Sequence, residues 1–101
     1  MADTKNSVNI YFFHSNTCSH CKAENRFLKS IEKKNNYIHV YRYEVHDEKN
    51  ADKINTLEDI YQIRLENVPV TIIGDTIFYG FSDETSENKF LRAISYYSLY
   101  G

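Results

Sequence analysis

The stretch VNIYFF, Val8 to Phe13, is an almost unbroken apolar and aromatic run, long enough for a buried strand and too short for a core helix. Ser15, Asn16 and Thr17 follow, all of the N-cap type. Thr17 is read as the cap and Cys18 as the first helical residue. Phe27, Leu28 and Ile31 then recur at helical spacing, Lys33 and Lys34 suit the negative end of the dipole, and Asn35-Asn36 can take a left-handed cap. The spacing predicts a helix over 18–34. YIHVYRYEV alternates, with Ile38, Val40 and Arg42 on one face and tyrosines on the other, as a second strand would. HDEKNADK reads as a polar turn, and Ile54, Leu57, Ile60 and Tyr61 mark a helix over 51–63. VPVTII and TIFYGF flank Gly74-Asp75 as a two-residue hairpin. Ser82, Asp83 and Thr85 offer capping oxygens to a closing helix marked by Phe90, Leu91, Ile94 and Tyr97. The predicted order is β-α-β-α-β-β-α. A strand–helix–strand start implies a parallel pair, and the hairpin adds antiparallel strands. The expected architecture is a central four-stranded mixed sheet with helices on both faces.

Composition narrows the function classes. A chain of 101 residues is one domain, 1–101. Hydrophobic residues at 42% and charged residues at 26% describe a globular core rather than a disordered or fibrous chain. A net charge of −2 provides no basic face for nucleic acid. No apolar run approaches a membrane span, and the start, MADTKNS, is polar with no signal core. The expected compartment is the cytoplasm; a leader or anchor removed ahead of Met1 would change it.

Cys18 and Cys21 are the only two cysteines. A bridge between them closes a loop too small to restrain the unfolded chain, so a stabilising staple is a weak reading. Placement is more informative. Backbone N–H groups at a helix start lack partners and the dipole is positive there, so a thiolate is favoured over a thiol. Cys21, one turn deeper on the same face, can reach back to Cys18 while shielded from outside attack. Cys18 is then the exposed nucleophile, and Cys21 resolves the mixed disulfide to leave a Cys18–Cys21 bridge. His20 lies between them, and its protonated form would favour the thiolate further; Lys22 adds a second positive charge. A more stable thiolate makes a more oxidising couple.

YFFHSNTCSHCK has the strand–loop–C-x-x-C–helix layout of the thioredoxin superfamily, and the resemblance covers nearly the whole chain. YQIRLENVPV resembles the thioredoxin stretch Y-x-I-R-x-x-P-T, with two extra residues within Leu65 to Asn67. VP before a strand also resembles glutaredoxins, and GDTIFYGFSDE resembles the superfamily hairpin with its glycine-bearing turn. The resemblance implies a thioredoxin-like fold, a cis Val68–Pro69 bond facing the dithiol, Val68 backbone groups free to pair with an extended substrate, and Gly80 as the glycine that admits a partner. Pro69, the only proline, stands where a strand begins, which agrees with that placing.

The departures are specific. Phe12 stands where thioredoxins carry a buried Asp, Thr17 replaces an aromatic residue, and the intervening dipeptide is Ser19-His20, whose His resembles bacterial disulfide-forming oxidases. Gly80 and Asp83 match only part of a glutaredoxin-like GG-x-D-D segment, because Tyr79 replaces the first glycine. Without the strand Asp, the Cys21 proton is expected to leave to water, with His14 or His20 as other acceptors.

The expectation is a thiol–disulfide oxidoreductase. Cys18, Cys21 and His20 carry the chemistry, and Thr17, Val68, Pro69 and Gly80 hold the substrate. No cofactor or metal is needed, since the dithiol carries the electrons. Expected partners are protein disulfides and a recycling reductase or glutathione, with no nucleic acid and no membrane span, and the chain is expected to be a monomer. Two alternatives belong to other classes. His14, Cys18, His20 and Cys21 lie within a short stretch and could hold zinc or copper, although a second ligand pair is missing. A non-catalytic thioredoxin-like module could use the groove to hold peptides, but it would not need both cysteines.

Overall fold

A computed structural model describes residues 5–101, so the polar reading of Met1 to Thr4 lies outside the described residues. The elements are β1 (Val8–His14), α1 (Ser19–Lys34), β2 (Ile38–Glu44), α2 (Ala51–Tyr61), β3 (Val70–Ile73), β4 (Thr76–Tyr79) and α3 (Glu84–Tyr100), with a short 3-10 turn at Glu48–Asn50 before α2. The sheet order is β2-β1-β3-β4. β1 pairs parallel with β2 and antiparallel with β3, and β3 pairs antiparallel with β4. This is the four-stranded mixed sheet and the element order expected from the sequence.

Strand alternation sends the side chains of β1 into two cores. Val8, Ile10 and Phe12 pack with Leu28 and Ile31 of α1 and Phe90 and Ile94 of α3. Phe13 turns to the opposite face with Val70 and Ile72, against Ile54 and Leu57 of α2. The sheet is therefore the middle of three layers. Four aromatic rings, Phe27, Phe78, Phe81 and Phe90, meet in the first core at centroid separations of 4.9–6.2 Å.

Several boundaries differ from expectation. Cys18, not Thr17, is the N-cap of α1: its backbone is extended and its sulfur accepts the Cys21 N–H. Thr17 is diverted because its hydroxyl bonds to that of Ser15 at 3.1 Å. Asn35 is extended at φ −134°, not left-handed, and its side chain donates to the Ile31 carbonyl at 2.9 Å. α2 stops at Tyr61 rather than at Ile63, because Gln62 takes the left-handed cap at φ 55°. The segment HDEKNADK is not all turn, since it contains the 3-10 turn and the start of α2. Leu91 is exposed, so α3 faces the core with Phe90, Ile94 and Ser98. Asp83 caps α3 by accepting the Thr85 N–H at 3.0 Å. The Gly74-Asp75 hairpin stands as read, with Gly74 at φ +59° and Tyr97 packed where a Cβ would lie.

Candidate active site

The loop from β1 into α1 is held before it reaches the cysteines. The Asn16 N–H donates to Glu44 of β2 at 3.0 Å, the His46 N–H donates to the same carboxylate, and the Cys18 N–H donates to the Ser15 carbonyl at 3.1 Å. These bonds hold the Glu44 carboxyl below the usual range. Cys18 is thereby set at the tip of α1, half-buried, while Cys21 is 2% exposed. The Cys21 N–H donates to the Cys18 sulfur at 3.1 Å, and the Cys18 thiol lies 3.9 Å from the Val68 carbonyl, which accepts from it. Both cysteines are free thiols. Burial, joined by the adjacent Cys18 sulfur, pushes the Cys21 thiol up to about 12. The two cysteines are thus unequal: one is reachable and has an N–H aimed at its sulfur, and the other is screened.

Val68–Pro69 is a cis peptide beside Cys18. The Pro69 carbonyl accepts the Gly80 N–H at 2.8 Å, while the Val68 N–H has no partner among the described residues. Val68, Pro69, Gly80 and His20 line one open groove of about 360 Å³, together with Tyr79 and Lys89. Gly80 has φ +83° and open space where a Cβ would stand, so its glycine serves backbone conformation rather than close packing. His20 is exposed on that groove. Thr17 stays in the loop, bonded to Ser15. The structure therefore brings together Cys18, Cys21, Val68 and Pro69, places His20 and Gly80 on the adjoining groove, and removes Thr17 from the capping role. His14 lies on the other side of Cys21, where both line a small pocket of about 110 Å³. Burial pushes the His14 imidazole down, with Glu44 acting against that shift. Among the described residues, no three of the His, Cys, Asp and Glu side chains are arranged to hold a metal ion.

No protein-family model and no curated protein sequence matches the chain. Solved structures do. A mutant thioredoxin from Halobacterium salinarum superposes with a TM-score of 0.63 at 19% identity, covering 92% of this chain and 76% of that one. The glutaredoxin of Archaeoglobus fulgidus gives 0.53 at 21% identity, covering 95% and 88%. Thioredoxin of Malassezia sympodialis gives 0.62 at 16% identity, covering 94% and 80%. The chain has the thioredoxin fold.

Within the thioredoxin fold, one buried group was missed in the sequence. Glu24 is fully buried on α1, one turn beyond Cys21. Its Oε2 accepts the Thr71 hydroxyl, and its Oε1 has no partner among the described residues. Burial pushes its carboxyl up to about 8, against the pull of the Thr71 bond. Thr71 is the cross-strand neighbour of Phe12, so a carboxyl reaches the sheet beneath the dithiol from the helix instead of from the first strand. The signal was present: the buried stripe of α1 is Cys21, Glu24, Leu28 and Ile31, with one acid at an apolar position.

Proposed function

We propose that this chain is a thiol–disulfide oxidoreductase that works through the Cys18–Cys21 dithiol. One observation carries the reading: an accessible sulfur at the N-cap of α1 accepts the N–H of a buried second cysteine and sits against the backbone of Val68. Cys18 as thiolate attacks a substrate disulfide, forming a mixed disulfide and releasing one substrate thiolate. Cys21 then attacks the Cys18 sulfur, giving the intramolecular disulfide and the second substrate thiolate. Two electrons pass to the substrate, and a reductant must return them. The unpaired Val68 N–H and the carbonyl beside Cys18 suit main-chain pairing with an extended polypeptide, so protein disulfides are the proposed substrates. The dithiol supplies the redox chemistry, and no cofactor is invoked.

His20, on the groove beside Val68 and Pro69, is proposed to stabilise the reduced dithiol and so to make the couple more oxidising than a general reductant. Titration against glutathione buffers tests this: the couple is expected above the thioredoxin range and His20→Ala is expected to lower it. A potential in that range, unmoved by the substitution, removes the role. The recycling donor is proposed to be a reductase or glutathione, and the chain a cytoplasmic monomer. Size exclusion and thiol trapping in cell extracts check the last two. The primary test is insulin reduction with dithiothreitol as donor: wild type accelerates it and Cys18→Ser does not. Equal rates for the two would contradict the assignment.

A further inference from the structure

At the end of the sheet away from the dithiol, five of the nine tyrosines line one open cavity of about 490 Å³. Tyr11 comes from β1, Tyr61 from α2, and Tyr96, Tyr97 and Tyr100 from α3. The Gly74-Asp75 hairpin borders the space, and Asp75 is the one charged side chain among the described residues that line it. We propose that this cavity is a binding site for a small organic cation of the quaternary-ammonium type. The inference stands apart from the redox reading, since none of these residues lines the groove beside Cys18.

The walls are held in place by the fold. Tyr61 donates its hydroxyl to the Gly74 carbonyl at 3.3 Å, and the Tyr97 hydroxyl pairs with that of Thr76 at 2.9 Å. The Tyr97 ring fills the space that a Cβ on Gly74 would need, so only a glycine lets helix and hairpin meet there. The rings of α3 stand at different angles. Tyr96 meets Tyr97 edge to face, with centroids 5.2 Å apart and planes at 89°, and is tilted by 46° from Tyr100, also at 5.2 Å. Rings so inclined offer the space faces as well as edges, which a flat stack would not. Tyr96 and Tyr100 are 56% and 73% exposed, so the fold itself leaves this aromatic surface uncovered.

Chemistry selects the ligand class. The face of an aromatic ring is the negative end of its quadrupole, so rings grouped around one space attract a cation. Asp75 adds a formal negative charge, and no Lys or Arg side chain among the described residues lines the cavity. Burial, joined by Tyr11, Asp75 and Tyr97, pushes the Tyr61 phenol up, which keeps that ring uncharged. Lys5, close in sequence to Ser7 at the cavity edge, lies over the Tyr37 ring instead, 5.2 Å from its centre. An anion would be repelled by Asp75. A bare metal ion needs several donor groups, and no three His, Cys, Asp or Glu side chains converge among the described residues. A compact ammonium is strongly hydrated and is costly to strip of water. A quaternary ammonium spreads its charge over methyl groups and meets ring faces directly. The cavity volume also falls within the range of roughly 300–1,000 Å³ of small-molecule sites.

The test titrates the full chain with choline chloride at constant ionic strength and follows the tyrosine ring resonances by NMR. Saturable binding in the millimolar range is expected, with shifts confined to the cavity tyrosines. Dimethylbutanol, the uncharged isostere in which carbon replaces the nitrogen, keeps the shape and is expected to bind roughly fivefold more weakly or worse. Tyr96→Leu and Tyr100→Leu change exposed residues, so the core stays intact, and each is expected to weaken choline binding about threefold. Asp75→Asn is expected to weaken it about twofold, and less as salt is raised. Tyr79→Leu, on the dithiol groove, is expected to leave it unchanged. No saturation, shifts spread over all the tyrosines, equal binding of the isostere, an equal loss in Tyr79→Leu, or full binding in both Tyr96→Leu and Tyr100→Leu overturns the assignment. None of these results bears on the oxidoreductase reading, which the insulin assay tests separately.

Discussion

The two faces of the sheet are built from the same strands but differ in kind. On the α2 face, Phe13, Ile54, Leu57, Leu65, Val70 and Ile72 form an unbroken apolar core. On the α1 and α3 face, the core admits Cys21, Glu24 and Thr71 beside the phenylalanine cluster. Burying a carboxyl and a thiol weakens packing that apolar residues could supply without penalty. Three of the buried polar groups there are tied to the helix that carries the dithiol: Cys21 and Glu24 lie one turn apart on α1 and Thr71 bonds to Glu24, whereas a fourth, Ser98, lies on α3. The α2 face stabilises the sheet, whereas the other face gives up part of that stabilisation to carry titratable groups.

The comparison can be broken by substitution on each side. The largest effect is expected from Cys18→Ser, which takes disulfide reduction to the uncatalysed rate while leaving the melting temperature near that of wild type. A variant that keeps turnover would move the chemistry away from this face. Next is Glu24→Gln, read by denaturation against pH. The folded carboxyl titrates near 8 and its ordinary value is 4.5, so its contribution to stability is fully present below about 4.5 and is lost between there and about 8. At about 1.4 kcal/mol per unit, the wild type should lose at most on the order of 5 kcal/mol across that window, and Glu24→Gln should lose far less. Parallel stability curves for the two proteins would mean that Glu24 reaches water.

Smaller effects sharpen the contrast. Leu57→Ala on the α2 face is expected to destabilise by about 3 kcal/mol through the cavity it leaves, with the rate of insulin reduction unchanged. A changed rate would show that the two faces are not independent. Tyr61→Phe removes one hydroxyl that donates to the Gly74 carbonyl at 3.3 Å, and about 1 kcal/mol is expected in urea unfolding, with no change in redox behaviour.

The fold was legible because its signals are local and strong. The β1 run, the Gly74-Asp75 hairpin and the periodic stripes of three helices each follow from side-chain period alone. The helix ends were less so. Whether Thr17 or Cys18 caps α1 depends on the Ser15 hydroxyl competing for Thr17, and Gln62 ends α2 through a left-handed conformation that its side chain does not announce. In the site, the C-x-x-C spacing and the lone proline pointed to the dithiol and its facing loop. Glu24 was overlooked because the acid was sought at Phe12, on the strand. A helix one turn past Cys21 can deliver a carboxyl to the same sheet position, and only the three-dimensional meeting with Thr71 makes that visible.

The inequality of the two sulfurs is the claim on which everything else stands. It is tested most directly by challenging Cys21→Ser and Cys18→Ser, each reduced, with a peptide disulfide at neutral pH and mapping any covalent adduct by mass spectrometry. A stable mixed disulfide through Cys18 in the first variant and none through Cys21 in the second is the predicted result. Adduct formation through Cys21, or through neither, would contradict the account.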